Sequence, residues 1–359
     1  MQSSPKYSIA QHICRYTLLL FLLPYACNPK PQSYHETLYV FGTLVDIDLP
    51  DGLNAESSQA LTAIRADFNA LHRHLHAWEP GELTDLNRAF SRGDSMRVSP
   101  ELLHLLQRAK EISVRGQGYF NPAIGQLVAL WGFHSDQYPV TGPLPDPAAI
   151  AQLLGSQPSM QQIEIDGARI TSSNPQVQLD FGGIAKGYAL DRGIDLLRRY
   201  HVENAMINAG GDLRAIGARH GHAWRVGIRN PFRDSVAYGL ILGPDESVMT
   251  SGNYYRFHAA SGKRYSHIIN PRSGYPVDEI VSATVITQGD ATLADAAATA
   301  LSVAGSSHWR EVARAMGLDS VLLIDAQGNL FASSKMFQRL LAGEPLMAPE
   351  TPDSIPGKK

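Results

Sequence analysis

A carboxylate, two glycines and a lysine occur together in residues 179–191. Asp180 precedes the pair Gly182-Gly183, and Lys186 follows it, in a pattern typical of a strand end, a turn and a helix start. Glycines let a ligand approach the backbone, and the free amides of a helix start favour an anion. The segment predicts a phosphate-binding site in which Asp180 accepts hydrogen bonds from a sugar or base. A plain turn with a solvated lysine is the alternative, because neither the Walker A loop nor the dinucleotide fingerprint is present.

A carboxylate and a hydroxyl stand four residues apart at Asp295 and Thr299. This spacing puts both side chains on one face of a helix. Hard oxygen donors suit magnesium, which takes few protein ligands and completes its shell with phosphate and water. The neighbouring alanines are expected to leave room for a bulky ligand. The alternative is a surface aspartate beside a threonine that bonds a backbone carbonyl.

Two further side chains have chemistry that fits such a ligand. His267 begins a turn at residues 267–274, and histidine transfers protons near neutral pH. The chain has 13 histidines, so a structural role is the alternative for this one. Trp78 lies in a polar loop, where it either stacks on a planar ring or covers the edge of the core.

The elements that position these residues follow from hydrophobic spacing and helix caps. Strands and helices mix without strict alternation, which favours an α+β fold with mixed sheets packed against helices. Helices are predicted over 61–75, from Ser99-Pro100, from Asp146-Pro147 to Gly155, from near Lys186, and over 293–304 with a stop at Gly305. Strands are predicted at 38–49, 177–179, 205–208, 224–228 and 282–287, and a hairpin at 321–324 and 330–333.

Composition limits the classes of function. The chain has 359 residues, an apolar fraction of 44% and a net charge of −3. The charge gives no basic surface of the kind that binds nucleic acid. No internal run is long and apolar enough to predict a transmembrane helix.

The N-terminus predicts export. Positive residues precede a short apolar run, a pattern typical of a secretory signal peptide. We therefore predict a signal peptide over residues 1–26. A membrane anchor helix is the alternative. Cys27 would be the first residue after the cleavage point. The other cysteine of the chain, Cys14, lies in the predicted signal peptide, so the mature protein is expected to lack a disulfide. The segment resembles a bacterial lipoprotein signal, although Pro24 and Tyr25 depart from its usual residues. We expect a lipidated Cys27, a tether over 27–36 and a disordered tail over 346–359. The expected location is the periplasm-facing inner membrane of the bacterial envelope.

Taken in order, several segments resemble the ApbE family, whose members are FAD:protein FMN transferases. The resemblance covers nearly the whole mature chain and predicts one T-fold-related globular unit over residues 37–345. The matching segments are 41–43, Trp78 with Glu82 and Asn87, 118–122, 130–133, 180–188, 208–212, 250–256, 267–274 and 294–299.

The resemblance implies a magnesium-dependent transfer of FMN from FAD to a threonine of an acceptor redox protein, with release of AMP. The implied magnesium ligands are Asp295, Thr299 and the backbone carbonyl of Gly183. His267 is the implied group for proton transfer. The implied FAD contacts are Phe41, Trp78, Tyr119, Phe120, Asn121, Asp180, Lys186, Ile269 and Ala298.

Three positions depart from the family pattern. Phe41 stands where methionine is usual, and Asn121 and Asn270 replace aspartates, which puts the activity in doubt if either carboxylate supports the metal or His267. Two other functions stay open. The same site with water as acceptor would make an FAD pyrophosphatase that yields FMN and AMP, and a flavin-binding lipoprotein would release no AMP.

Overall fold

The computed structural model describes residues 32–135 and 138–343. Most of its strands are short. The predicted signal peptide, Cys27 and the predicted tail lie outside these residues. The first strand begins at Tyr34, within the segment assigned to the tether. The strands are β1 (Tyr34–Val40), β2 (Thr43–Leu49), β3 (Met96–Arg97), β4 (Val140–Thr141), β5 (Ile163–Asp166), β6 (Arg169–Ser172), β7 (Ala205–Ala209), β8 (Asp212–Ile216), β9 (Arg225–Arg229), β10 (Val236–Ile241), β11 (Glu246–Gly252), β12 (Phe257–Ala260), β13 (Lys263–Ser266), β14 (Ile280–Gln288), β15 (Ser320–Asp325), β16 (Leu330–Ala332) and β17 (Leu341–Ala342).

The helices begin close to the predicted caps. Ser99 and Asp146 accept backbone N–H groups at the starts of their helices, and proline follows each of them. Within the described residues, no helix is both long and apolar enough to cross a membrane. The helices are α1 (Ala55–Leu75), α2 (Glu82–Arg92), α3 (Pro100–Arg115), α4 (Gly125–Leu130), α5 (Pro147–Gly155), α6 (Ala185–Arg199), α7 (Ala291–Met316) and α8 (Ser334–Arg339), with a 3-10 turn at Met160–Gln162.

An eight-stranded antiparallel sheet forms the centre, in the order β1-β2-β7-β8-β11-β14-β15-β16. The helices α1, α6 and α7 pack on one face around Ile64, Phe68, Ile194 and Leu301. The small sheet β17-β10-β9 contributes to a second apolar cluster, together with Leu213 and Ala215 of β8 and Ile286 of β14. The predicted α+β fold is confirmed, and side chains of β8 alternate between the two layers.

Three details differ from the sequence prediction. The predicted strand 38–49 is a hairpin, broken at Phe41 (φ 57°) and Gly42 (φ 67°). Two successive left-handed residues make the tight turn that matches strand twist, and phenylalanine is rarely found there. The predicted strand 177–179 forms only an isolated bridge between Gln178 and Ile124. Gly305 interrupts α7 with φ 68° and ψ −176°, as predicted, but a second helical stretch continues to Met316.

Candidate active site

The glycine turn before α6 is fixed by hydrogen bonds to its backbone. Asn87 accepts from Leu179 N at 2.7 Å and donates to Leu179 O at 2.9 Å. Asp180 accepts from Gly182 N at 2.7 Å. Burial raises the pKa of Asp180, whereas this amide, a hydrogen bond from Trp78 and the charge of Arg256 lower it. The turn is therefore formed before any ligand binds.

Asp295 joins α7 to the start of α6. Its Oδ2 atom accepts the backbone N–H of Gly187 at 2.9 Å, so it caps α6, whose own N-cap residue, Ile184, makes no side-chain hydrogen bond to the helix. The Cβ of a larger residue at Gly187 would collide with the carbonyl oxygen of Ala291. Asp295 is 4% exposed, and burial raises the pKa of its carboxyl while the charge of Lys186 lowers it. Glycine at position 187 thus brings the two helices close enough for this contact.

Thr299 lies on the same face of α7 as Asp295, as predicted. Its Oγ1 atom lies 3.1 Å from Ser251 Oγ and 3.1 Å from the position of a Cβ built on Gly183. Phe120 Cε2 lies 3.5 Å from that same Cβ position. The structure therefore brings Gly183, Asp295 and Thr299 together, although they are distant in sequence.

The predicted oxygen donors fit magnesium. A carboxylate, a hydroxyl and a nearby peptide carbonyl are hard ligands. Among the described residues, no group of three or more His, Cys, Asp or Glu side chains is arranged to hold a metal ion. A site with one carboxylate suits a magnesium ion that shares its coordination with substrate phosphates.

Lys186 has a partner that the sequence did not reveal. Its ammonium group pairs with Oδ2 of Asp212, whose Oδ1 accepts from Thr250 N at 2.8 Å. Burial lowers the pKa of Lys186, and the charge of Asp295 raises it. Asp212 ends the glycine turn at 208–212 and begins β8. It becomes a partner of Lys186 only because β8 and the start of α6 are packed next to each other in the fold.

Asp191 anchors the start of α7. It accepts from Ala291 N and Thr292 N, each at 2.9 Å, and from Thr292 Oγ1 at 2.5 Å. Arg214 from β8, which is 3% exposed, pairs with Asp191 at 2.5 Å and with Asp245 at 2.7 Å. This network fixes α7 relative to α6 and the sheet, and it too was absent from the sequence prediction.

His267 is oriented as a neutral base. Its Nδ1 atom lies 3.1 Å from the carbonyl oxygen of Arg256. Because a carbonyl only accepts, Nδ1 carries the proton and Nε2 keeps its lone pair. Burial and the charges of Arg256 and Lys186 lower the pKa of His267 to about 4. At neutral pH, the ring is therefore uncharged and the lone pair of Nε2 is free of a proton.

Of the aromatic residues predicted to contact FAD, Phe41 and Trp78 keep part of their ring surface exposed, whereas the ring of Tyr119 is covered by a cation. The Phe41 ring packs on Phe68 with a centroid distance of 5.6 Å, and the Trp78 ring lies 5.8 Å from His134. Both are half-buried and retain surface for a ligand. The ring of Tyr119 is covered by the guanidinium of Arg272 at 3.8 Å, which joins two of the matching segments.

Four other predicted positions have evident structural roles. Asn121 donates to Pro158 O at 2.8 Å and accepts from Ala123 N at 3.1 Å, and Asn270 accepts from Arg272 N at 2.9 Å. These amides stabilise turns. Ile269 is 5% exposed and Ala298 is 0% exposed. The alanines beside Asp295 pack into the core instead of leaving room for a ligand, so the expectation about them was wrong. The flavin contacts at Asn121, Ile269 and Ala298 stay predictions.

The sequence model of the ApbE family matches residues 41–322, which include all the segments described above. The chain belongs to the ApbE family. It is 42% identical to an FAD:protein FMN transferase of Rhodobacter capsulatus over 316 residues, 88% of this chain and 60% of that relative. It is 30% identical to an FAD:protein FMN transferase of Vibrio cholerae over 324 residues, 88% of this chain and 96% of that relative.

The fold is also that of solved ApbE structures. The ApbE protein from Thermotoga maritima superposes with a TM-score of 0.77 at 30% identity, covering 86% of this chain and 99% of that one. The matched region spans 60% of the Rhodobacter capsulatus relative and 63% of a relative from Klebsiella pneumoniae. Those two relatives therefore contain further sequence outside the region they share with this ApbE chain.

Proposed function

We propose that this ApbE protein transfers FMN from FAD to a threonine hydroxyl of an acceptor redox protein and releases AMP. The observation that carries the proposal is the convergence of Gly183, Asp295 and Thr299 beside Lys186 and a neutral His267. The relatives named FAD:protein FMN transferase support the choice of reaction. A site for flavin binding alone would not need all of these polar groups.

Each group has a defined task in this reaction. The amides of the glycine turn and the ammonium group of Lys186 bind the diphosphate, and Asp212 holds that ammonium group in place. Asp295, Thr299 and the carbonyl of Gly183 would hold magnesium. When bound, magnesium neutralises charge on the phosphate oxygens. His267 accepts the threonine proton at Nε2, while Phe41 and Trp78 contact the ring systems.

The reaction is tested with purified protein, FAD, magnesium and a threonine-containing acceptor domain. We expect a covalent FMN adduct on the acceptor by mass spectrometry and an equal amount of AMP. The matched control is the same acceptor with its threonine replaced by valine, and a second control contains EDTA. AMP release at the same rate without any acceptor would identify a pyrophosphatase. FAD binding with no AMP under any condition would identify a binding protein.

We also propose that the protein is anchored in the bacterial envelope through a lipidated Cys27, facing the periplasm from the inner membrane. The short apolar run that ends at this cysteine supports the proposal. Expression with radiolabelled palmitate should label the wild-type protein in the membrane fraction, whereas Cys27→Ser should be unlabelled. Equal membrane retention of both proteins, without label, would contradict lipidation.

A further inference from the structure

Arg256 immediately precedes β12 and is not among the site residues predicted from the sequence. Its guanidinium carbon lies 5.3 Å from the centre of the Tyr138 ring, in the geometry of a cation–π contact. Its backbone carbonyl is the atom that orients His267. The residue is half-buried, so the ring and the local backbone restrict where its side chain lies.

The positive charge of Arg256 acts on three groups of the site. It lowers the pKa of Asp180, of Lys186 and of His267, which come from three separate segments. A charge affects three such groups only if it lies close to all of them. Arg256 therefore lies within electrostatic range of Lys186.

Arg256 forms no ion pair within the part of the chain that the structure describes. Across residues 32–135 and 138–343, no carboxylate lies within 4.0 Å of its guanidinium, whereas Lys186 pairs with Asp212. The stacked Arg229 provides a comparison: it lies over Tyr255 and also pairs with Asp234 at 2.8 Å. A guanidinium that is stacked, half-buried and without a paired carboxylate among residues 32–135 and 138–343 is suited to bind an anionic ligand through its two-pronged donor group.

We propose that Arg256 is a catalytic residue that contacts the diphosphate of the dinucleotide and stabilises the negative charge that develops on the leaving AMP. The inference rests on the proposed function. The acceptor oxygen forms a bond to the FMN phosphorus, and the bond from that phosphorus to the bridging oxygen breaks. The electron pair stays on the oxygen that leaves with AMP, and the acceptor proton goes to Nε2 of His267. The guanidinium supplies donors where negative charge accumulates.

The test compares Arg256→Gln with Arg264→Gln, which removes a nearby guanidinium stacked over Phe257 at 4.7 Å. The ligands are ADP, which has the diphosphate, and riboflavin, which has only the ring system. We expect Arg256→Gln to weaken ADP binding about tenfold, leave riboflavin binding unchanged and lower kcat/KM for FAD about 10²-fold. Arg264→Gln should match the wild type in all three measurements.

Arg256→Lys keeps the charge without the two-pronged geometry, and it should recover part of the loss. Melting curves for each variant establish that it is folded. Unchanged ADP affinity together with an unchanged rate in folded Arg256→Gln would overturn the inference. Loss of ADP affinity in Arg256→Gln alone would support the contact even if the wild type labels no acceptor, so this inference and the proposed function can fail separately.

Discussion

Two walls of the site are held in place by different forces. The helix wall consists of residues 180–191 and 291–299, and its polar groups are fixed by hydrogen bonds to backbone amides. The loop wall consists of Trp78, Phe133, Tyr138, Arg256 and His267, and in it ring–ring and cation–ring contacts add to the hydrogen bond between His267 and the carbonyl oxygen of Arg256. In the loop wall, the ring of Phe133 lies 6.4 Å from that of His267.

This difference matches the two demands of the proposed reaction. Charge that develops on phosphate is stabilised best by groups that do not have to reorganise; the helix wall provides most of them, and Arg256 is the group proposed for this task in the loop wall. A flavin ring and an acceptor protein have to enter and leave, which suits loops that pack through side chains. We therefore expect substitutions in the helix wall to affect rate or folding, and those at the edge of the loop wall to affect binding.

The largest effect is expected at Asp295. Asp295→Asn keeps an oxygen that can accept from Gly187 N but removes the charge, so we expect transfer to fall about 10³-fold with little change in melting temperature. Asp295→Ala should lose the same activity and also about 1 kcal/mol of stability, because the helix loses its cap. Acceptor labelling and thermal melts measure the two effects. Near-normal labelling by Asp295→Asn would remove this carboxylate from the proposed metal site.

His267 tests whether the loop wall also takes part in chemistry. Loss of a general base lowers rates by about 10² to 10⁴, so His267→Gln should reduce labelling by at least 10²-fold. Because the pKa of the wild-type ring is lowered to about 4, the neutral form persists above that pH. The profile of kcat/KM for FAD should be flat from pH 5.5 to 8 and fall only as pH approaches 4. A decline centred near pH 6.5 would contradict the lowered pKa of this histidine.

Gly187 tests how tightly the helix wall is packed. In Gly187→Ala, the new methyl group meets Ala291 O and lies 2.9 Å from Asp295 Cβ, so α6 and α7 must move apart. We expect a loss of about 1–3 kcal/mol in the free energy of unfolding and reduced activity. Gly155→Ala is the control, since a Cβ there has open space. Equal melting temperatures for the two variants would show that the contact between the helices is not limiting.

Trp78 is expected to give the smallest effect. Trp78→Leu removes a ring that packs near His134 and a side chain that helps to lower the pKa of Asp180. We expect KM for FAD to rise about tenfold with kcat nearly unchanged. This rise corresponds to a loss of about 1.4 kcal/mol in the free energy of FAD binding. Trp78→Phe keeps a stacking surface, so its KM for FAD should lie between those of the wild type and Trp78→Leu. A fall in kcat with constant KM would mean that the two walls do not divide their tasks as described.

Local pattern predicted the residues of the helix wall but not the contacts that hold them. The spacing of Asp295 and Thr299 defines a helix face without further information, and the glycine turn before Lys186 is a local signal. Asp212 and Arg214 were missed because their roles depend on how β8 lies against α6, which sequence spacing does not contain. The left-handed Phe41 was missed because that conformation is disfavoured for a phenylalanine and arises from the pairing of β1 with β2.

The start of α6 has a consequence for the evolution and engineering of this protein. Asn54, Ser99 and Asp290 each cap their own helix, but isoleucine at position 184 has no atom that can do so. Ile184 is 0% exposed within the core, and the amide of Gly187, which such a cap would use, already donates to Asp295. A polar residue at position 184 would therefore bury a polar group and lose apolar contacts without adding a cap. A search for thermostable variants has to leave both helices unchanged here, because the cap of α6 comes from α7 and is also one of the groups proposed to hold magnesium.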